Sequence, residues 1–392
     1  MSGTILLDVS RLVWRRWRGR LPTGIDRVCL AYLDRFAPRA QAVVQWRGRR
    51  RILPRALSAR LFALVAQGGP AFRTRFAAML PAIALAGTRA APGSLYLNVG
   101  HTGLDDPGLG AWLTAQRLKP VFLIHDLIPI THPQFCRAGE GERHARRMTH
   151  ALASASGIIA NSQATLGDLC AFAASGGHAT PPALVAWIGG CPMPAAVRPL
   201  RLERRHFITV GTIEGRKNHV LLLRVWKDLA RRRGKAAPLL VIAGQRGWQA
   251  DEALAMLDGD AALRGHVREL PACDDGELAG LIAGAQALLM PSHAEGFGLP
   301  VAEALHLGTP VIASDLPVYH EIAGDLPTFL APQDSAAWER EIISCLGANT
   351  ASAQRICRYR APDWHGHFAR VEPWLATLLQ KEGGALPPLS LD

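Results

Sequence analysis

Short apolar runs alternate with helix-length segments along this 392-residue chain, and that alternation constrains the fold more than any other feature. Before residue 189 it predicts strands at 4–9, 94–99, 121–124 and 157–160 and a helix from about Gly24 to Phe36. Parallel strands joined by covering helices produce such a pattern. Residues 52–91, which are rich in Ala, Arg and Leu, are expected to form helical excursions of the same domain.

The alternation stops and then restarts, which predicts a second domain of the same α/β kind. Residues 189–200 hold three prolines and two glycines, so we place a linker there. Apolar residues at helical spacing predict a last helix at 364–379 that packs on the body. The predicted domains are 1–198 and 199–363, followed by a helix and tail at 364–392. Within the second we expect strands at 206–210, 239–243, 287–291 and 310–313 and helices at 219–233, 251–257 and 300–307.

The composition excludes several classes of protein. With 49% apolar and 19% charged residues the chain is globular rather than disordered. It has no apolar run of about 18 residues to cross a membrane, and its first residues resemble a strand rather than a secretory signal. Seven scattered cysteines without a C-x-x-C pair favour neither a disulfide framework nor a zinc site. We therefore expect a cytoplasmic protein with reduced cysteines.

Positive charge is concentrated at one end of the chain. Residues 1–90 hold 17 arginines, no lysine and three acidic residues, whereas the whole chain has a formal net charge of +12. The arginines cluster at 11–20, interleaved with Trp14 and Trp17, and at 47–55. Such a surface attracts phosphate in nucleic acid, in lipid headgroups or in a pyrophosphate-linked substrate. A solvated arginine-rich face explains the same composition, and the sequence leaves both interpretations open.

The glycine-containing loop 295–299 lies between a predicted strand that ends at Pro291 and a helix that begins near Pro300. Unpaired backbone amides at a helix start bind anions, so this loop predicts a phosphate site. Glu295 and Glu303 are eight positions apart, with Glu303 in the expected first helical turn. Both carboxylates can therefore accept hydrogen bonds from hydroxyls of one ligand. Ordinary acidic capping of a helix start is the alternative interpretation.

A second candidate segment follows the first predicted strand of the second domain. It reads Gly211-Thr212-Ile-Glu-Gly-Arg216-Lys217-Asn and places two cations beside the carboxyl end of the strand, where α/β folds bind ligands. Arg216 and Lys217 therefore suit a diphosphate. A pair of solvated charges is the alternative, although cations at a helix start oppose the helix dipole.

Polar residues also follow the predicted strands of the first domain. His125 and Asp126 come directly after the strand at 121–124. We select His125 as a candidate ligand contact, with His101 and His132 as weaker candidates, although a single histidine at a strand end is more often structural.

Two further turns of the first domain are candidates. Gly24 and Arg27 lie where a loop leads into the first long helix, and a glycine there lets the backbone approach a ligand. Asn161 and Ser162 lie in a later strand-to-helix turn, where a cap at Ser162 is the simplest interpretation.

Together these segments resemble the retaining GT-B glycosyltransferases of family four, glycosyl transferases group 1, of the bacterial polysaccharide type. The E-x7-E signature spans 295–303, G-T-x-E-x-R-K-N spans 211–218 and H-D-L-I-P-x-x-H-P spans 125–133. The loop 21–27 resembles the first glycine loop of the family, with one glycine where many relatives have two. The resemblance implies an α/β GT-B fold, in which two Rossmann-like domains face a central cleft and a C-terminal helix packs back on the body. The first domain would be the acceptor side and the second would bind the nucleotide sugar.

The resemblance also implies the reaction and the site. The reaction is transfer of a sugar from a nucleoside-diphosphate donor to an acceptor hydroxyl, with the anomeric configuration retained. Glu303 is expected to hold the ribose and Glu295 the sugar hydroxyls, while cations and loop amides stabilise the leaving diphosphate. The implied catalytic residues are His125, Arg216, Lys217 and Glu295. The implied donor-binding residues are Gly24, Gly211, Thr212, Gly296, Phe297, Gly298, Leu299 and Glu303, and the acceptor-side residues are His101, Asp126 and Arg27.

The expected partners follow from the same resemblance. No metal and no cofactor beyond the nucleotide sugar is expected, and mannose or rhamnose is the favoured sugar. The acceptor is expected to be a saccharide or a polyprenyl-diphosphate-linked saccharide of a surface polysaccharide. The basic first domain adds an anionic membrane surface, at the inner face of the cytoplasmic membrane, and no nucleic acid. The alternatives are a non-catalytic protein that binds membrane or nucleic acid, a silent sugar-nucleotide binder and a sucrose-type synthase.

Overall fold

The computed structural model describes residues 4–20, 24–190, 197–347, 356 and 358–380. By their contacts these residues divide into two units. Unit 1 comprises the described residues of 1–127, 142–188 and 364–392, and unit 2 comprises those of 128–141 and 189–363. The chain therefore enters unit 2 for a short stretch at 128–141, inside the range that the sequence assigned to the first domain.

Unit 1 is built on a seven-stranded sheet in the order β3-β2-β1-β4-β5-β6-β7. All neighbouring strands pair in parallel except β2 and β3, which form an antiparallel hairpin. The chain order reverses between β1 and β4, and α/β folds bind ligands at the carboxyl edge beside such a point. The strands are Ile5–Asp8 (β1), Ala40–Trp46 (β2), Arg49–Ile52 (β3), Leu95–Asn98 (β4), Lys119–Ile124 (β5), Gly157–Ala160 (β6) and Ala183–Val185 (β7).

Helices cover this sheet, and the last one returns from the end of the described chain. They are Ser10–Trp17 (α1), Gly24–Phe36 (α2), Arg55–Gln67 (α3), Phe72–Leu85 (α4), Gly108–Ala115 (α5), Glu140–Ser154 (α7, beginning just before the unit boundary), Gln163–Ser175 (α8) and Trp364–Gln380 (α15).

The last helix packs on unit 1, as predicted. His367 Nε2 lies 2.9 Å from the hydroxyl oxygen of Tyr32, and the ring of Phe368 contacts the rings of Tyr32 and Phe36. The ammonium of Lys119 donates to the carbonyl oxygen of Leu378 at 2.9 Å. Aromatic burial and a terminal cap thus hold this helix on the sheet.

Unit 2 is a six-stranded, all-parallel sheet in the order β10-β9-β8-β11-β12-β13. Its strands are His206–Val210 (β8), Leu239–Ala243 (β9), Val267–Leu270 (β10), Leu288–Met290 (β11), Val311–Ser314 (β12) and Thr328–Leu330 (β13). Its helices are Ile128–Thr131 (α6), His219–Arg233 (α9), Asp251–Gly259 (α10), Asp275–Gly284 (α11), Leu299–His306 (α12), Pro317–Ala323 (α13) and Ser335–Ser344 (α14). The order reverses between β8 and β11, so the loops after these two strands flank the ligand-binding edge.

The helices and strands that the sequence predicted individually recur with bounds shifted by at most two residues, and α3 and α4 fill the helical segment expected at 52–91. Other elements of unit 1 were not predicted individually, among them α1, α5, α7, β2, β3 and β7. The turn of the β2–β3 hairpin has positive φ angles at Arg47 (48°) and Gly48 (75°), and arginine is an uncommon residue in that conformation. Residues 21–23 of the predicted glycine loop, 191–196 of the predicted linker and 381–392 of the tail lie outside the described residues.

None of the helices in the ranges described above is long and apolar enough to cross a bilayer.

The contact between β6 and α15 can be tested at Gly157. A Cβ atom there would lie 2.6 Å from Cη2 of Trp374 and 2.9 Å from Cδ1 of Leu378. We expect Gly157→Ala to lower the free energy of unfolding by roughly 1–3 kcal/mol, because the added atom overpacks this contact. Chemical denaturation measures the change. Gly167→Ala is the control, since its Cβ would meet nothing within 4 Å on α8 and should raise stability slightly. Equal effects of the two substitutions would contradict the packing described.

Candidate active site

The predicted cations and the predicted carboxylate of unit 2 meet at the carboxyl edge of its sheet. Glu295, in the loop after β11, lies between two cations of the loop after β8. Its Oε1 is 2.5 Å from Nζ of Lys217, and its Oε2 is 2.8 Å from Nη1 of Arg216. The side chains of Lys217 and Glu295 are only 9% and 7% exposed. The structure thus joins three of the four predicted catalytic residues in one buried ion-pair cluster.

Neighbouring groups fix this cluster in one geometry. Ser292 donates its hydroxyl to Glu295 Oε1 at 2.8 Å, and Arg216 also pairs with Glu214 through Nε at 2.7 Å. The backbone N–H of His293 donates to the carbonyl oxygen of Arg216 at 2.7 Å, which ties the two loops together. Sequence reasoning missed Ser292 and Glu214 as partners, although Glu214 lies inside the motif at 211–218 and Ser292 lies just before the motif at 295–303.

Local backbone conformation explains the residue types in these loops. Gly298 has φ 92°, and a Cβ there would lie 2.5 Å from the ring of Tyr319, so this position requires glycine. Gly211 has φ 134° and passes beside Lys217, whose Cε would be 3.1 Å from a Cβ at that position. Asn218 adopts the left-handed conformation between the turn that carries the cations and α9, and its amide donates to Pro332 at 2.9 Å.

The charges keep Glu295 ionised. Burial alone would raise the pKa of its carboxyl, but the positive charges of Arg216 and Lys217 outweigh burial and lower that pKa to about 2. Burial lowers the pKa of Lys217, while the charge of Glu295 opposes the shift. Burial also raises the pKa of Glu214, against the charges of Arg216 and Lys217. Glu295 is therefore ionised at neutral pH, and its carboxylate acts as a hydrogen-bond acceptor.

Glu303 lies on α12 but is not at a position from which its carboxylate can cap the start of that helix. The helix begins at Leu299, so Glu303 falls in the second turn and the expectation of a first-turn position was wrong. The residue is buried, and its Oε1 would be 3.2 Å from a Cβ at Gly190. Because Glu295 precedes the helix and is held by cations, acidic capping explains neither carboxylate.

The remaining predicted donor residues of unit 2 lie in the loops after β8 and β11 and at the start of α12. Phe297 is buried in the core, and Gly296 and Leu299 flank it at the start of α12. Thr212 is half-buried, and its neighbour Gly211 donates its N–H to the carbonyl oxygen of Ala243 at 2.9 Å.

Segment 128–141 brings an aromatic contact to the same loops. The ring of Phe135 stacks on that of His293, with centroids 4.8 Å apart and an angle of 5° between the planes. His132, the weaker histidine candidate, lies on Phe135 at 6.3 Å. Burial lowers the pKa of His293, and the neighbouring His132 lowers it further. Sequence reasoning selected neither Phe135 nor His293.

In unit 1, two predicted histidines lie after the neighbouring strands β4 and β5. His125 Nε2 is 2.8 Å from the carbonyl oxygen of Val99, and His101 Nε2 is 2.8 Å from that of Leu123. Their rings are 5.1 Å apart. His144 of α7, which sequence reasoning missed, adds a third buried ring 5.9 Å from His101.

Burial keeps these rings neutral. It lowers the pKa of His125 to about 4 and lowers that of His101 well below its usual range. In a neutral ring whose Nε2–H donates to a carbonyl, Nδ1 is an acceptor. Asn161 donates to the carbonyl oxygen of His125 at 2.8 Å, and Ser162 caps α8 by accepting from the N–H of Thr165. The cap at Ser162 is therefore confirmed.

The remaining unit 1 candidates lie on α2 or in the loop after β5. Gly24 opens this helix and Arg27 is half-buried in it, while the carbonyl oxygen of Asp126 lies 3.1 Å from His144 Nε2.

Part of the first arginine cluster faces inward. Asp26 is buried between Nε of Arg11 at 2.7 Å and Nε of Arg15 at 2.6 Å, and sequence reasoning did not foresee this bridge between α1 and α2. Trp14 and Trp17 both contact the ring of Phe76 at 5.9 Å. Arg11 and Arg15 are therefore held in ion pairs and Trp14 and Trp17 in packing, whereas Arg18 and Arg20 of the same cluster are exposed.

Within the described residues, no three His, Cys, Asp or Glu side chains form a group that could hold a metal ion.

Solved structures with the same fold include Anabaena HepE in complex with UDP, with a TM-score of 0.63 and 15% identity over 96% of this chain and 100% of that one. Sucrose-phosphate synthase from Thermosynechococcus elongatus has a TM-score of 0.62 and 16% identity, over 96% of this chain and 99% of that one. Two parallel α/β units with such neighbours define the GT-B fold. The expected GT-B fold class is confirmed.

Sequence comparison gives a match to one family model. Residues 196–364 match the model of glycosyl transferases group 1. Serotype-specific mannosyltransferase WbdA of Escherichia coli is 30% identical over 247 residues, 58% of this chain and 30% of that protein. O-antigen chain mannosyltransferase B of Escherichia coli is 35% identical over 159 residues, 40% of this chain and 41% of that protein. The chain thus spans less than half the length of these relatives.

The buried histidines of unit 1 predict a loss of stability in acid. The unfolded chain protonates histidine below about pH 6.5, whereas His125 resists protonation down to about pH 4 when folded. Stability should therefore fall as pH drops through this window, because the unfolded state binds more protons. We expect His125→Gln to flatten that dependence by roughly 2–3 kcal/mol at pH 4, measured by denaturation at each pH. The exposed His365→Gln should leave the slope unchanged, and a slope that does not respond to His125→Gln would contradict its burial as a neutral ring.

Proposed function

We propose that this protein transfers a hexose from a nucleoside-diphosphate sugar to a saccharide or lipid-linked saccharide in the synthesis of a surface polysaccharide. The observation that carries the proposal is the buried ion-pair cluster of Glu295 with Arg216 and Lys217, beside the chain reversal of the unit 2 sheet. Two cations held at that edge suit a diphosphate.

The chemistry assigns these cations to the leaving group. When the bond between sugar and phosphate breaks, negative charge grows on the β-phosphate. Arg216 and Lys217 are already oriented by Glu295, so they stabilise this charge without reorganising. The amides at the start of α12 add hydrogen-bond donors to the same phosphate.

Glu295 is proposed to hold the sugar. Its Oε1 accepts from Lys217 and Ser292, whereas its Oε2 accepts from Arg216. A carboxylate oxygen has two acceptor positions, so Oε2 retains capacity for a sugar hydroxyl. Glu303 is proposed to accept hydrogen bonds from the ribose, and neutral His125 to accept one from a sugar hydroxyl at Nδ1.

We further propose that the anomeric configuration is retained and that the leaving phosphate accepts the proton of the acceptor. Mannose is the favoured sugar, because WbdA and O-antigen chain mannosyltransferase B, two of the similar proteins, are named mannosyltransferases, with rhamnose as the second candidate. No metal takes part in this proposal, since Arg216 and Lys217 supply the positive charge. A purely binding function would explain the basic end of the chain but would leave this ion-pair cluster without a role.

The donor is testable by thermal shift. Full-length protein is heated with GDP, UDP, dTDP and ADP and with their sugars, in parallel with Glu303→Ala. We expect one nucleotide to stabilise the native chain, because a ligand at about 100 times its Kd adds roughly 2.7 kcal/mol, and Glu303→Ala to lose that shift. A folded protein that responds to no nucleotide would contradict the proposed function.

Turnover is tested at Lys217. Lys217→Met keeps the aliphatic stem beside Gly211 but removes the charge, so we expect the rate of sugar transfer to fall by roughly 10²–10³-fold. Stability should change much less than the rate. The exposed Lys235→Met controls for loss of a lysine in the same unit. Equal losses of turnover and stability at Lys217 would refute its role at the leaving group.

A further inference from the structure

The β2–β3 hairpin and the end of α4 together expose apolar and basic side chains in one place. We define the hairpin patch as Trp46, Arg47, Arg49, Arg51 and Leu85. In the β2–β3 register Trp46 is paired with Arg49, and Arg51 Nε lies 3.3 Å from the carbonyl oxygen of Ala84, the residue before Leu85. The guanidinium of Arg47 lies 5.1 Å from the ring of Trp46. Hairpin and helix end are therefore parts of one surface.

The apolar members of the patch are unusually exposed. Trp46 is 56% exposed and Leu85 is 86% exposed, although both follow buried stretches of β2 and α4. The base of the patch is fixed, since Trp14 lies 6.5 Å from Trp46 and donates its indole N–H to the carbonyl oxygen of Gln45 at 2.7 Å. Large exposed apolar residues that lie together on a fixed base are typical of an interaction surface.

The charge around the patch is uncompensated. Residues 35–104 contain eleven arginines and neither lysine nor any acidic residue. Asp106, whose carboxylate approaches the hairpin turn at Gly48, is paired with Arg50 at 2.6 Å. Among the described residues, Arg47, Arg49 and Arg51 form no ion pair. The surface therefore carries a positive charge that only an external anion can neutralise.

Protection of a sheet edge explains part of this composition. β3 is the edge strand of its sheet, and charged side chains on edge strands prevent unwanted pairing. That function needs no exposed Trp46 or Leu85, which raise the risk of aggregation instead. A partner must therefore offer both negative charge and an apolar phase.

We propose that the hairpin patch docks this protein on the surface of an anionic lipid bilayer. The three arginines bind lipid phosphates, while Trp46 and Leu85 enter the interface between headgroups and acyl chains. A nucleic acid would satisfy the arginines and stack on Trp46, but it offers no apolar phase to the aliphatic Leu85. The benefit of docking rests on the proposed function, because a lipid-linked acceptor lies at a membrane. The docking itself does not require a nucleotide-sugar donor.

Vesicle binding tests the patch. Full-length protein is sedimented with vesicles of phosphatidylcholine alone or with about 30% phosphatidylglycerol. We expect binding to the anionic vesicles only, weakened by salt, and a loss of roughly a hundredfold in the triple variant Arg47→Gln/Arg49→Gln/Arg51→Gln, at about fivefold per arginine. The variant Arg231→Gln/Arg233→Gln/Lys235→Gln in unit 2 removes the same charge and should bind normally. Equal binding by both variants, or none by the native chain, would overturn the proposal.

Insertion is tested separately. Brominated acyl chains should quench tryptophan fluorescence of the native chain, and Trp46→Phe should remove that quenching. Duplex DNA binding that falls in the triple variant while vesicle binding persists would assign the patch to nucleic acid and overturn the proposal. Nucleotide thermal shifts, measured without lipid, should be the same in all variants. A failure of docking is thereby distinguished from a failure of the proposed sugar transfer.

Discussion

The ion pairs of Glu295 with Lys217 and Arg216 are the interaction on which the candidate site depends. Placing these charges at a buried position is costly, because each of them is taken out of water. An apolar cluster would stabilise the fold equally well. We therefore propose that these charges hold two cations in a fixed geometry at a sheet edge, where they can bind a ligand that carries more negative charge than Glu295 alone supplies.

Other contacts in unit 2 hold these ion pairs in place. The chain reversal between β8 and β11 brings two loops to one edge, and the hydrogen bond from His293 to the carbonyl oxygen of Arg216 joins them. Gly298 turns the second loop into α12 where the ring of Tyr319 leaves no space for a Cβ. In unit 1 the same architecture places His125 and His101 after adjacent strands, where burial keeps both neutral. In each unit, the loops after neighbouring strands thus hold buried polar side chains that are not needed to pack the apolar core.

Much of this could be predicted from the sequence, for physical reasons. Buried parallel strands and amphipathic helices leave periodic apolar patterns, so strands such as β8 and helices such as α9 agree with their predicted bounds. The motifs placed Lys217 and Glu295 in loops after strands, and the structure brings them together. What sequence reasoning missed depends on contacts between distant residues: the bridge of Asp26 to two arginines, and the stacking of Phe135 on His293. The inward-facing part of the first arginine cluster likewise depends on residues distant in sequence, because Arg11 and Arg15 pair with Asp26 of α2 and Trp14 and Trp17 pack on Phe76 of α4.

The central claim is that the buried cations of unit 2 bind the diphosphate of a nucleotide. It is tested most directly by calorimetric titration with the mono- and diphosphate of the nucleoside that stabilises the protein, for the native chain and for Lys217→Met. The account predicts that the diphosphate binds about 10- to 100-fold more tightly than the monophosphate and that the variant loses most of that ratio, because a charge-assisted hydrogen bond contributes roughly 1.5–3 kcal/mol. An unchanged ratio in the variant would contradict it.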